Sequence, residues 1–142
     1  MKTKCVAKVV VMNPAGEVLL LRRSPTDTRR AGEWDFPGGG VEPNESFAQA
    51  ATRETAEEAG LAVSANELRL LYTATDFYEP TQENVHRALY LAHVSESMAQ
   101  QVVLSFEHDQ SRWVSIEKAL QDFPHPFYGT GLRYGLEHDL LN

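Results

Sequence analysis

The sequence predicts an α/β sandwich in a single domain, and three observations carry that expectation. A β-branched run from Val6 to Met12 has the composition of a strand. A helix starting at Phe47 carries signals at both of its ends. Two more strand-like runs, Leu68 to Phe77 and His86 to Val94, follow that helix. Strands and helices are therefore mixed within one chain of 142 residues, an ordinary size for a domain with its own core.

Between the first strand and a returning one at Val18 to Leu21, Asn13-Pro14-Ala15-Gly16 reads as a turn. A polar loop, Ser24 to Gly32, holds Arg29 and Arg30, with Arg22 and Arg23 at its entry. Trp34-Asp35-Phe36-Pro37 reads as a short aromatic strand leading into Gly38-Gly39-Gly40. Ser46 and Gln49 form a capping box for the helix, and Gly60 suits a left-handed cap at its other end. The polar stretch Glu79 to Asn84 separates the two later strands. Trp113-Val114 reads as a last short strand, Ser115 as the cap of a helix through Leu120, and a terminal helix is expected from about Gly129 to Leu141.

A formal net charge of −7 argues against binding a nucleic-acid duplex, where phosphate neutralisation demands a basic face. Cys5 is the only cysteine, so no internal disulfide is available. No stretch approaches the roughly 20 apolar residues of a membrane span, and the N-terminus lacks a signal-peptide layout. The cytoplasm is the expected compartment. Homodimer formation is left open.

The acidic surplus is concentrated where it needs an explanation. Glu54, Glu57 and Glu58 fall three and four residues apart, on one helix face. That stripe continues into Phe47, Ala50 and Ala51 on one side and Leu61 on the other, so the acids interrupt an apolar stripe. The other face, Ala48, Thr52, Thr55 and Ala59, is small and nearly uncharged. As a plain surface cluster the arrangement gains little: an Arg53–Glu57 pair contributes about 0.2–0.5 kcal/mol, and each like-charge pair costs a similar amount. A hard divalent cation resolves the conflict, because Mg²⁺ takes oxygen ligands and shares substrate phosphate oxygens. The preceding glycines let backbone carbonyls or amides approach a ligand closely.

In this pattern the chain resembles the Nudix family, whose box reads G-x5-E-x7-R-E-U-x-E-E-x-G-U with U a bulky aliphatic residue. Gly39, Glu45, Arg53, Glu54, Glu57, Glu58, Gly60 and Leu61 stand in that register. Thr55 departs from it, standing where an aliphatic residue is usual. GEWDFPGGGVEPNES and FEHDQSRWVSIEKAL extend the resemblance beyond the box. It implies the Nudix fold, an α/β/α sandwich around mixed sheets. It further implies hydrolysis of a nucleoside diphosphate linked to another moiety, with Mg²⁺ or Mn²⁺. Carried over by position, Glu57 and Glu58 become metal ligands and Glu54 a ligand or the group that activates water. Arg53 orients a helix carboxylate, Gly39 offers its carbonyl to the metal, and Glu45 supports the helix start or an outer ion. Glu107 is the second candidate for the general base.

Outside the box, Arg23 ends a strand and resembles a phosphate-contacting position in MutT-type members; Arg22, Arg29 and Arg30 are weaker phosphate candidates. Trp34, Phe36, Phe77 and Tyr78 are candidates for stacking on a base, against the commoner role of such rings in a core. Gly38 joins Gly39 at the expected substrate side. No two histidines show metal-ligand spacing. The expected activity is cleavage of nucleoside triphosphates to monophosphate and pyrophosphate. ADP-ribose, a nucleotide sugar or a dinucleoside polyphosphate is the rival substrate. A nucleotide-sensing module without turnover is the rival of another class, disfavoured because every acidic position of the box is filled.

Overall fold

The computed structural model describes residues 2–27, 30–123 and 125–142, so Arg29 lies outside the described residues. Among them, seven strands form one sheet: β1 (Lys2–Met12), β2 (Val18–Arg23), β3 (Trp34–Asp35), β4 (Gly38–Gly40), β5 (Arg69–Tyr78), β6 (Glu83–His93) and β7 (His108–Val114). The helices are α1 (Phe47–Ala59), α2 (Glu96–Ala99), α3 (Ile116–Asp122) and α4 (Pro126–Glu137). The order across the sheet is β3-β2-β1-β6-β5, with β4 pairing β1 and β7 pairing β2. β1 and β6 run parallel from Lys2↔Glu83 to Met12↔His93, and every other pair is antiparallel.

The central strands are apolar on both faces because both faces are covered. Val10, Met12, Val18 and Leu20 point into one core with Ala119 of α3 and Phe127, Tyr128 and Leu132 of α4. Ala7, Val9, Val11, Leu19 and Leu21 point into the other with Ala50, Ala51 and Ala59 of α1. The result is a helix–sheet–helix sandwich around a mixed sheet. Among the described residues no helix is long and apolar enough to cross a membrane.

Several boundaries differ from those expected. The glycines are themselves a strand, β4, paired with β1 through Val6↔Gly40, Ala7↔Gly39 and Lys8↔Gly38. β7 begins six residues before Val114, because β2 pairs with it as far as Arg23↔His108 and carries the polar stretch into the ladder. α4 starts at Pro126 rather than near Gly129: proline is pre-set for the first helical position, and His125 Nδ1 accepts the Phe127 amide at 3.1 Å. It stops at Glu137, short of Leu141. α2, short and capped by Ser95, was not foreseen.

α1 matches its signals. The Ser46–Gln49 capping box is reciprocal, and Gly60 closes the helix with φ 70°. Thr55, the departure in the box, is fully buried, and its hydroxyl donates to the Ala51 carbonyl at 2.7 Å. Its polar atom is thus satisfied within the helix while its methyl packs like an aliphatic group.

Candidate active site

One cavity of about 540 Å³ opens where β4, α1 and the ends of β1, β2 and β6 meet. Glu54, Glu57 and Glu58 of α1 line it with Gly38 and Gly39, and Arg23, Arg30, Arg87 and Glu107 border the same space. Its volume falls in the range of sites for small ligands and cofactors.

The three glutamates sit at different depths. Glu58 is buried (5% exposed), and its Oε1 accepts the Gly38 N–H at 2.8 Å. Burial pushes its pKa up to about 7; the Lys8 ammonium and the Gly38 amide work against that rise, and Glu54 and Asp35 add to it. Glu54 is half-buried and also raised, by burial first, with Arg53 opposing. Glu57 is on the exposed edge, its side chain 59% accessible and 3.4 Å from Arg53. The helix face that the sequence marks out is therefore divided by depth, with Glu58 inside the packing of α1 and Glu57 at its solvent edge.

Arg53 organises the wall from outside. Its Nε and Nη2 grip Glu45 at 2.7 and 2.9 Å, its Nη1 reaches Glu54 at 3.0 Å, and its Nη2 also donates to the Gly40 carbonyl at 3.0 Å. This fork ties the glycine strand, the loop before α1 and α1 itself into one unit. Glu45 also accepts the Glu42 amide at 2.9 Å. The Arg53 bond, then this amide, hold the Glu45 carboxyl down at about 2.

Close approach requires glycine at residue 38, and at residue 39 any side chain would displace the end of Glu54. A Cβ on Gly38, where φ is +140°, would lie 2.2 Å from the Ala7 carbonyl oxygen; one on Gly39 would lie 2.8 Å from Glu54 Oε1. Gly39 and Glu54 are thus neighbours without a side chain between them.

The acidic side chains on this wall, Glu54, Glu57 and Glu58, offer only oxygen donors, a type suited to Mg²⁺ or Mn²⁺. Among the described residues no three His, Cys, Asp or Glu side chains close into a finished metal cage. An incomplete set still fits such ions, which keep several waters and share phosphate oxygens. With three glutamates on one cavity wall, a bound cation would favour their ionised form against the burial that raises Glu54 and Glu58.

Other expected residues fare unevenly. Phe36 corrects the stacking expectation: it is 0% exposed, its ring 4.5 Å from Phe123 and 5.6 Å edge-on to Tyr128, so it belongs to the core and offers no face to a base. Trp34 packs under the Arg112 guanidinium at 4.0 Å. Arg23 reaches the cavity while already paired with Asp27 at 2.9 Å and Asp35 at 3.0 Å. Arg22 is turned away, paired with Asp109. Tyr78 is exposed and lines the cavity.

Sequence reasoning passed over Lys8, Asp35 and Arg87. Lys8, within an otherwise apolar strand, pairs with buried Asp35 at 3.0 Å. Burial disfavours both charges, but their mutual attraction outweighs it, so the lysine is raised and the aspartate lowered. A lone lysine in a β-branched run was the available signal. Arg87 pairs with Asp76 at 2.9 Å across β5 and β6 and gave no signal of its own.

The NUDIX domain family matches residues 2–131. The chain is 37% identical over 106 residues to the CTP pyrophosphohydrolase of Escherichia coli (strain K12), an alignment spanning 75% of this chain and 72% of that protein. It is 35% identical over 113 residues to the asymmetrical bis(5'-nucleosyl)-tetraphosphatase of Sus scrofa, spanning 78% and 72%. The crystal structure of a MutT protein from Methanosarcina mazei Go1 superposes with a TM-score of 0.80, at 30% identity and with 96% of each chain covered.

Proposed function

Because this chain belongs to the NUDIX domain family and is a hydrolase of phosphoric anhydride bonds, we propose that it cleaves nucleoside triphosphates to a monophosphate and pyrophosphate. One observation carries the choice of a phosphate-rich substrate. The same cavity that Glu54, Glu57 and Glu58 line is also lined by Arg23, Arg30 and Arg87. A cation-binding wall beside cationic side chains suits a polyphosphate, whose oxygens need both.

Glu54, Glu57, Glu58 and the Gly39 carbonyl would hold Mg²⁺ or Mn²⁺. When bound, the ion supplies charge neutralisation at phosphate oxygens and lowers the pKa of a bound water. The protein's own groups then have separable tasks. Arg53 fixes Glu54 and the glycine strand in register. Arg23, Arg30 and Arg87 bind phosphate oxygens. Glu54 or Glu107 takes the proton from the attacking water, both carboxylates bordering the cavity.

A dinucleoside polyphosphate is the second reading, supported by the similarity to the tetraphosphatase. A panel of nucleoside triphosphates, dinucleoside polyphosphates, ADP-ribose and nucleotide sugars, assayed with Mg²⁺ by product chromatography, separates them. Pyrophosphate released from a triphosphate supports the first reading. Turnover confined to dinucleotides supports the second, and undiminished turnover in EDTA would remove the metal from both.

A further inference from the structure

Lys8 lies opposite Gly38 in the β1–β4 ladder. Its side chain is 6% exposed, and its ammonium donates to Asp35 Oδ2 at 3.0 Å, to the Gly38 carbonyl at 3.0 Å and to the Phe36 carbonyl at 3.3 Å. Three acceptors occupy the three ammonium protons. The N–H of that same Gly38 holds Glu58 Oε1 at 2.8 Å. One glycine therefore connects the lysine, through its carbonyl, to the buried glutamate, through its amide.

We propose that Lys8 is a positioning residue for the metal-binding wall: it pins the backbone from Phe36 to Gly38, so that the Gly38 amide aims Glu58. The proposal rests on the metal-binding reading of Glu58. The plainer role, neutralising Asp35, leaves two of the three bonds unexplained. Asp35 also has a second cation, Arg23 at 3.0 Å.

The two roles differ in sign. A lysine close to Glu58 repels a divalent cation, so losing its charge alone tightens metal binding. Losing the two carbonyl bonds frees the turn and weakens it. Removing one partner of a buried pair strands the other charge, so the informative variant is Lys8→Met/Asp35→Asn, which removes both.

Mn²⁺ binding to the substrate-free protein, followed by electron paramagnetic resonance, reads the effect directly. Glu58→Gln must first weaken Mn²⁺ binding; if it does not, the metal-site reading fails, whatever Lys8 does. Given that loss, the double variant is expected to bind Mn²⁺ about tenfold more weakly, with kcat lowered and the KM for nucleotide little changed. A folded double variant that binds Mn²⁺ as tightly as wild type, or more tightly, overturns the proposal. Should the variant not fold, ¹⁵N-lysine-labelled wild type decides: the Lys8 ammonium resonance is expected to shift as Mg²⁺ saturates the site, and an unmoved resonance overturns it.

Discussion

The Gly38 amide and the Glu58 carboxylate are joined by a 2.8 Å hydrogen bond across twenty residues of sequence, and the bond exists because no side chain stands at residue 38. Gly38→Ala should therefore act on both fold and site. Its Cβ would meet the Ala7 carbonyl at 2.2 Å and the Lys8 Cα at 2.6 Å, both backbone atoms, at a φ of +140° that L residues rarely adopt. Such strain costs on the order of 1–3 kcal/mol before any clash is relieved. Urea unfolding should show a loss of at least that size, and Mg²⁺ activation should weaken in whatever protein stays folded. Wild-type stability in this variant would mean that β4 is not held against β1 as described.

Glu58→Gln should lower kcat on the order of 10²-fold or more, because it removes a charged oxygen from the metal wall. Its effect on the metal-free protein runs the other way. A carboxyl raised from 4.5 to about 7 on folding favours the folded state fully below pH 4.5, and that contribution is lost as pH rises through 7. Without divalent ions, the variant should gain stability relative to wild type between pH 4.5 and 7, by about 1–3 kcal/mol, and stay level above. Melting curves of both proteins in EDTA across that range test it; parallel curves would mean that Glu58 is not buried as a carboxyl.

How far the sequence reached is clear at particular residues. α1 was legible to the residue, because Ser46, Gln49 and Gly60 act through local backbone bonds that sequence spacing reveals. The box acids were legible as a helix face, but not their depth. Glu57 and Glu58 are adjacent in sequence, and only the packing of α1 on β1 and β4 makes one exposed and the other buried. β7 was shortened because Asp109 to Arg112 are polar, and the β2 ladder that enrols them is a long-range fact. The Lys8–Asp35 pair joins residues 27 apart, a contact that no local pattern encodes.

Phe36 gives a test of the corrected core. It is packed against Phe123 and Tyr128 and carries no exposed surface, so Phe36→Ala should cost about 3–5 kcal/mol, in the range of buried aromatic truncations. Phe36→Leu should cost less. If the ring stacked on a base instead, the alanine variant would raise KM with stability unchanged. Denaturation and KM measured on the same preparations separate the two outcomes.

Glu107 and Asp109 offer the sharpest comparison of a cavity acid with a surface acid. Glu107 borders the cavity, and its carbonyl accepts the Ser24 amide at 2.9 Å, which anchors the loop beside Arg23. Asp109, two residues on, is instead held by Arg22 through bonds of 2.9 and 2.6 Å, outside the cavity lining. If Glu107 takes the proton from water or holds an outer metal ion, Glu107→Gln should lower kcat by roughly 10²–10⁴-fold, the span of acid–base groups, with little change in substrate affinity. Asp109→Asn removes an equal charge but disrupts only a solvent-screened surface ion pair, and should leave kcat within a few-fold of wild type. Equal and small effects of both substitutions would assign Glu107 to loop electrostatics and leave Glu54 as the group that activates water.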